Sequence, residues 1–405
     1  MLSAMLFKAG LRNLLRKPRR TLGIMLAVML GTGSLFLIHG FNTGIMNQYR
    51  YNAIHAAYAN GEVHTSGYAG KVYEKPWEHW IADYPALARD LSAVPGVTNL
   101  FPRVTFQALL TTDAHVASGV GMGVDGKGET AFFTTVNVEE GRDLGDTPDG
   151  MVLGRELARS LGVHVGDRVT VLAPDVHGSM NGADFRVTGI FHTGQQVYDF
   201  SGFKVQLPRV QELMDTQRVE KVQVALADGA SFDPVVAKFP GGGSPYEAVS
   251  FETLDAAQYG NAVRFLAAQF QVIRIIVLVV VVLGLTSVLA ASIFERKTEI
   301  GTLRANGESR LDVMKLLAIE SAATGALGGA CGVLYGLFVV NALVPKGILM
   351  PAAPGLTRQF MVRIELQPDM AAQVVVLGMI IVLAAAGFAA ARVLKGSVAE
   401  LLRST

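Results

Sequence analysis

"FERKTEIGTLRANGESR", residues 294–310, is charged at Glu295, Arg296, Lys297, Glu299, Arg304, Glu308 and Arg310. It follows directly on "IIVLVVVVLGLTSVLAASIF", residues 275–294, which bears no charge at all. A chain shows this contrast where it leaves a bilayer. A hydrocarbon core of about 30 Å takes about 20 apolar residues in a helix, whose backbone amides bond within their own segment. Three further stretches satisfy the same condition. One starts after Arg20 with "TLGIMLAVMLGTGSLFLIHGF", one follows Glu320 and stays uncharged to Lys346, and one runs from Met370 to Ala391 before Arg392. The expected membrane helices are 21–46, 269–294 including the end of a stalk, 312–344 and 370–392.

Composition agrees with that division. The 405 residues are 50% hydrophobic and only 17% charged, too apolar for an ordinary soluble protein, yet long polar stretches remain. A net charge of +1 gives no sign of nucleic-acid binding, and the single Cys331 excludes an internal disulfide. The distribution of charge is informative where its sum is not. Residues 1–20 hold Lys8, Arg12, Arg16, Lys17, Arg19 and Arg20 without an acid; Arg296, Lys297, Arg304, Arg310 and Lys315 follow the second span, and Arg392, Lys395 and Arg403 the fourth. Positive segments resist translocation, so both termini and the 295–311 segment are expected in the cytoplasm. Residues 47–268 and the short loop 345–369 are then expected on the far side. A cleaved leader, suggested by "RRTL", is the weaker reading, because the apolar run is too long and no small-x-small site follows it. Phe7, Leu11, Leu14 and Leu15 share one face of a helix beside Lys8, Arg12 and Arg16, a pattern for a helix lying on the membrane surface or a solvated basic leader.

Between 47 and 268 the pattern changes to short alternating runs. "GEVHTS", "RVTFQALLTT", "DRVTVLAP" and "FRVTGIF" read as strands, while "YPALARDLSAVPGV" and "GRELARSLG" read as short helices ending at Pro95-Gly96 and Gly162. An α+β domain, divisible into two lobes, is expected. "SFDPVVAKFPGGGSPYEAV" reads as a surface loop, and "AAQYGNAVRFLAAQFQVIR" as a helical stalk running into the second span.

"GMGVDGKGET", residues 121–130, has the glycine and lysine offsets of a phosphate-binding loop, but Gly128 stands where a Mg2+-binding hydroxyl belongs and no helix pattern follows. A hairpin turn is the expectation there. The eight histidines lie between 39 and 192 without ligand spacing, and there is no G-x-S-x-G, so no catalytic residue and no metal ligand is assigned.

The opening stretch has helical periodicity, with Ile300 and Leu303 on one face, a break at Asn306-Gly307, and Ser309 and Asp312 at the spacing of a capping box. On these residues alone, a knuckle for a cytoplasmic partner and an ordinary positive-inside loop are equally good readings. "ERKTEIGTLRANGESRLDVMKLLAIESAATGALGGACGVLYG", residues 295–336, resembles the signature of the MacB/FtsX-like family of ABC transporter permeases, the mechanotransmission group with LolC/LolE-like members. The basic start with span one, "LGRELARSLGVHVGDRVTVL", "FRVTGIFHTG" and "LKGSVAELLRST" agree, the last as a closing amphipathic helix; Asn306 and Glu308 depart from the usual small residues.

The resemblance implies a bacterial inner-membrane permease with a periplasmic α+β domain and a coupling helix over 295–307 that docks on an ABC ATPase dimer. Glu295, Arg296, Lys297, Glu299, Ile300, Leu303 and Arg304 are the coupling candidates, with Glu295, Arg296, Glu299 and Arg304 expected to pair with the ATPase. ATP and Mg2+ would belong to that partner, and this chain would carry no cofactor. A second permease copy or a paralogue is implied as well. In span three, Gly325, Gly328, Gly329, Gly332 and Gly336 form overlapping G-x-x-x-G pairs, expected to pack within the bundle or at a dimer seam. Residues 42–58 after span one, with Asn42, Met46, Tyr49 and Ile54, are expected at a membrane exit for substrate. Release of a lipoprotein or amphiphile towards the outer membrane is the leading reading. Adaptor-linked efflux of a peptide or antibiotic through an outer-membrane duct, and FtsX-like regulation of a cell-wall hydrolase, are the alternatives.

Overall fold

The computed structural model describes residues 18–71, 75–134, 136–193, 196–254, 260–350 and 359–395. The expected surface helix at the start and the closing helix of the tail lie outside the described residues. The chain divides into a helical unit and a distal α+β unit.

In chain order the elements are α1 (Pro18–Ala53), β1 (Gly61–Thr65), α2 (Tyr84–Ser92), β2 (Val97–Thr111), β3 (Val116–Val124), α3 (Gly126–Phe132), β4 (Asn137–Gly141), β5 (Gly150–Gly154) and α4 (Arg155–Leu161). There follow β6 (Arg168–Pro174), β7 (Met180–His192), α5 (Gln196–Ser201), β8 (Gly202–Gln206), α6 (Leu207–Leu213), β9 (Lys221–Leu226), α7 (Asp233–Lys238), β10 (Tyr246–Ser250) and α8 (Phe251–Leu254). The chain closes with α9 (Asn261–Phe294), α10 (Lys297–Ala305), α11 (Arg310–Phe338), the strand pair β11 (Ile348–Met350) and β12 (Phe360–Val362), and α12 (Pro368–Leu394).

Four of these helices are long and apolar enough to cross a membrane. Helix α1 runs on to Ala53 rather than stopping at 46, because nothing between Met46 and Ala53 breaks a helix; it then widens into a π-type turn, Ile54–Tyr58. The segment between α11 and α12, expected as a plain loop, contains the β11–β12 pair.

Strand β2 organises the distal unit. Its first half, Val97–Arg103, pairs with β9 and so joins the antiparallel sheet β10-β1-β9-β2. Its second half pairs with β3 over Val104–Thr111 and with β6 over Leu109–Thr111. Pairings β3–β8, β8–β5, β5–β7 and β7–β6 then close a six-stranded ring, two of whose contacts, β3–β8 and β5–β7, are parallel. Alternation along β2 sends Phe106, Ala108 and Leu110 inward to Phe203, Met151, Val169 and Val171, while Gln107 and Leu109 face out. The two lobes therefore share one strand and one continuous core, which extends from Val63 and Trp80 on the sheet side to Phe185 on the ring side.

Residues 121–130 differ from the hairpin expected of the sequence. Strand β3 ends at Val124 and a helix, α3, starts at Gly126; there is no hairpin. Gly126 and Gly128 are poor helix formers, so local propensity opposes this helix and tertiary contacts at Glu129 hold it in place. The glycine triplet reads better: Gly241, Gly242 and Gly243 all have positive φ and separate α7 from β10, although α7 gives that "loop" a helical first half.

Candidate functional site

Helix α10 is nine residues long, too short to be stable by itself, and its geometry explains what holds it. Gly307, at φ +96°, turns the chain out of it, and the Ser309 hydroxyl accepts from the Asp312 amide at 3.2 Å to start α11. Ile300, 2% exposed, and Leu303 enter an apolar cluster with Ile293 of α9, Val313 and Leu317 of α11, and Ala386, Ala389, Ala390, Val393 and Leu394 of α12. All three long helices of that cluster thus meet under α10.

A second tie is ionic. The Arg296 guanidinium donates through Nη1 to both carboxylate oxygens of Glu320, at 2.9 and 2.8 Å, and through Nε to Glu299 at 2.9 Å. The side chains of Arg296 and Glu320 are 12% and 16% exposed, so this is a largely enclosed, charge-assisted pair in which one nitrogen spans both carboxylate oxygens. Burial alone would lower the Arg296 pKa, but the neighbouring Glu320 and then Glu299 raise it.

These contacts sort the seven coupling candidates. Arg296 and Ile300 face the helical unit and are committed inside the chain, and Leu303 is half-buried against the same cluster; Arg296 is therefore removed from the residues expected to pair with a partner. Glu295 and Glu299 are exposed, Lys297 is half-exposed with its ammonium 4.7 Å from the Phe294 ring centroid, and Arg304 is half-buried. Thr298, Thr302, Glu308 and Arg310 complete an exposed polar face.

The five span-three glycines all face into the chain, on two sides of one helix. Cβ atoms built at Gly325 and Gly329 would come within 2.8 and 3.1 Å of the Met379 and Val375 Cα atoms of α12. At Gly328 and Gly336 they would meet Val28 and Phe36 of α1, each at 2.7 Å, and at Gly332 the Thr32 hydroxyl. Thr32 is wholly buried, its Oγ1 donating to the Val28 carbonyl at 2.7 Å. Helix α11 is thus clamped between α1 and α12, with backbones in close approach.

The expected exit residues do not form one surface. Ile54 is buried at 7% exposure, which removes it from any exit; Met46 and Tyr49 are half-buried, and Asn42 is half-buried with its Oδ1 enclosed and unpaired among the described residues. Sequence reasoning missed the feature beside them. Gly40 and Gly44 of α1 receive the extended segment before α12: the Glu365 amide donates to the Gly40 carbonyl at 3.1 Å, Asn47 donates to the Glu365 carboxylate, and a Cβ on Gly44 would overlap the Arg363 carbonyl. The four-residue spacing of Gly40 and Gly44 was the available signal.

Buried charge in the distal unit also escaped the sequence. Glu129 of α3, 1% exposed, accepts from Arg103 Nη2 at 3.0 and 2.8 Å and from Lys204 Nζ at 2.9 Å. Burial would raise the Glu129 pKa, but Arg103 and Lys204 together hold it below the ordinary carboxylate value. His192 lies 2.7 Å from Asp199, both nearly buried, with Arg155 at 3.3 Å on its other ring nitrogen. Among the described residues no group of three or more His, Cys, Asp or Glu side chains converges as metal ligands would.

Four helices apolar enough to cross a membrane, a short helix packed against them and an α+β domain between the first two in sequence are the marks of a polytopic membrane protein. Residues 21–240 match the MacB-like periplasmic core domain model and residues 272–398 the FtsX-like permease C-terminal model. The chain belongs to the ABC transporter permease family of the MacB/FtsX/LolC type. It is 25% identical over 354 residues to the lipoprotein-releasing system transmembrane protein LolC of Neisseria meningitidis serogroup B, covering 82% of this chain and 80% of that protein. It is 24% identical to LolC of Xylella fastidiosa (strain Temecula1), covering 78% and 74%. The crystal structure of the periplasmic region of MacB from Actinobacillus actinomycetemcomitans aligns with a TM-score of 0.36 and 12% identity, over 49% of this chain and 91% of that one. The protein is thus a multi-pass inner-membrane protein with a periplasmic domain, and permeases of this family work with an ATPase.

Proposed function

We propose that this chain is the permease subunit of an ABC transporter whose ATPase is a separate protein. It would convert nucleotide-driven closure of an ATPase dimer into motion of the periplasmic domain, extruding a lipoprotein or other amphiphile towards the outer membrane. The observation that carries the reading is the mounting of α10. One face is fixed to α9, α11 and α12 through Ile300, Leu303 and the Arg296–Glu320 pair, and the other is polar and exposed. A helix mounted in this way moves with its bundle when pushed, and Glu295 and Glu308 on the exposed side suit basic groups on the ATPase.

In this reading α10 and both termini face the cytoplasm, as the Lys and Arg distribution favours. ATP and Mg2+ reside in the partner, the chain itself needs no cofactor, and a second copy or a paralogue completes the dimer. Similarity to LolC over about four fifths of either chain favours a lipid-anchored cargo. Asn42, Met46 and Tyr49 are the cargo-facing candidates that remain. The test is reconstitution of the permease with its cognate ATPase in nanodiscs holding a triacylated lipoprotein. ATP-dependent release into solution is expected. No release by any permease pairing, or cysteine labelling that places Glu308 outside the cell, would overturn the reading.

A further inference from the structure

At its far end α1 belongs to the distal unit, which takes in residues 48 to 263. Tyr51 and His55, one turn apart, stack with centroids 4.0 Å apart and planes at 23°. His55 in turn stacks on Phe132, the last residue of α3, at 4.8 Å and 21°. Phe132 packs edge-on against Phe133 and tilted against Phe101, each at 5.0 Å. The Arg103 guanidinium lies 4.6 Å from the Phe133 ring centroid and is the same group that holds Glu129. A file of rings therefore joins the end of a membrane helix to a buried ion triad where β2 passes from the sheet to the ring.

Two further observations mark this place as more than packing. The helix ends in a π-type turn that contains His55, and the turn runs into Ala59, a fully buried residue at φ +50° and ψ −148°. Such a conformation costs a non-glycine residue on the order of 1–3 kcal/mol and persists only where the surroundings enforce it. The triad, moreover, is an inefficient source of stability, since well-packed apolar residues would serve as well. What charge-assisted bonds from two cations add is a fixed position for α3, since Arg103 Nη2 spans both Glu129 oxygens and Lys204 Nζ holds one of them.

We propose that the file Tyr51–His55–Phe132, seated on α3 and bolted through Glu129 to Arg103 and Lys204, is the joint by which displacement of α1 enters the periplasmic domain. His55 and Phe132 are its positioning residues. The inference rests on the reading given under Proposed function and adds the residues that carry the motion.

Hydrogen exchange on the full permease with its ATPase in nanodiscs, compared between the nucleotide-free and the ATP-vanadate-trapped states, tests it. In the native complex, residues 126–133 and the neighbouring part of β2 change protection with nucleotide. Phe132→Ala and His55→Ala should keep ATP hydrolysis and reduce that nucleotide-dependent difference by about 2- to 30-fold, the range for residues on a coupling path. Phe132→Tyr and His55→Phe, which keep a ring in the file, should restore it. If the native complex itself shows no nucleotide-dependent change, the transport reading falls and the joint with it. If the native complex responds and Phe132→Ala responds equally, or if His55→Phe is as defective as His55→Ala, the joint alone falls.

Discussion

Replacing Glu320 by Gln removes one charge from the pair that ties α10 to α11 and changes almost no volume. Arg296 would keep only Glu299, whose side chain is 43% exposed, while its own remains 12% exposed. Removing one partner from a fully buried pair costs about 3–5 kcal/mol. The remaining hydrogen bond to Glu299 and the partial exposure of Glu320 reduce this to about 2–3 kcal/mol. Glu299→Gln, by contrast, touches a half-exposed partner and should cost less than about 1 kcal/mol. At about 2–4 °C per kcal/mol for a unit of this size, Glu320→Gln should lower the Tm of the purified permease by about 4–12 °C. The double change Arg296→Met with Glu320→Leu removes both charges and should recover most of that loss. Differential scanning fluorimetry in one detergent, with all four proteins measured side by side, is the assay. A Tm for Glu320→Gln within about 1 °C of the native chain, or equal to that of Glu299→Gln, would show that the pair is screened as a surface pair is, and the mounting argument for α10 would fail.

Glu129 sets an acid limit on the periplasmic domain. Its folded pKa is depressed, so its contribution is present above the unfolded value of about 4.3 and is lost as pH falls through the depressed folded value; near-UV circular dichroism of the permease should hold from pH 7 to about 5 and decline below about 4. Glu129→Gln leaves Arg103 and Lys204 buried without their anion and should cost about 3–5 kcal/mol at neutral pH, read as a Tm loss. Gly325→Ala and Gly332→Ala meet backbone or a buried hydroxyl and should each cost about 1–3 kcal/mol, while Gly284→Ala and Gly387→Ala, with nothing within 4 Å, should leave the Tm unchanged or raise it slightly. Gly44→Ala should displace the segment around Arg363, visible as new protease cleavage between β12 and α12, since no rotamer moves a Cβ away from a carbonyl.

The parts legible in the sequence were those fixed by local periodicity. Apolar runs of about 20 residues gave the four spans, alternation gave the strands around Thr105, Val169 and Val187, and the Ser309–Asp312 spacing gave the start of α11. The span-three glycines were legible as a face, but which helices fill it was not, because spacing encodes closeness without naming a neighbour. Arg296 was misread for the same reason: a charged residue in a polar stretch looks exposed until Glu320, 24 positions away, is found beside it. Helix α3 was missed because its glycines favour a turn, and the charges that override them come from Arg103, 26 positions before Glu129, and Lys204, 75 after it. Long-range ionic contact leaves no periodic trace.

The two ionic assemblies solve one mechanical problem in separate units. Helices α10 and α3, of nine and seven residues, are each too short to hold a direction by their own hydrogen bonds. Each has an apolar anchor, Ile300 in one case and Phe132 with Phe133 in the other. Apolar contact is non-directional, and a helix resting on alanines and leucines can slide or roll at little cost. A charged nitrogen set between both oxygens of a carboxylate, as Arg296 Nη1 and Arg103 Nη2 are, resists both movements, because either one lengthens a charge-assisted bond. In each unit the carboxylate and the guanidinium come from different elements: Glu320 from α11 meets Arg296 at the start of α10, and Glu129 from α3 meets Arg103 of β2. The burial of both pairs removes the water that would otherwise let them exchange partners. Among the described residues, a guanidinium–carboxylate contact thus fixes a short helix in each of the two units, at Arg296 in one and at Arg103 in the other.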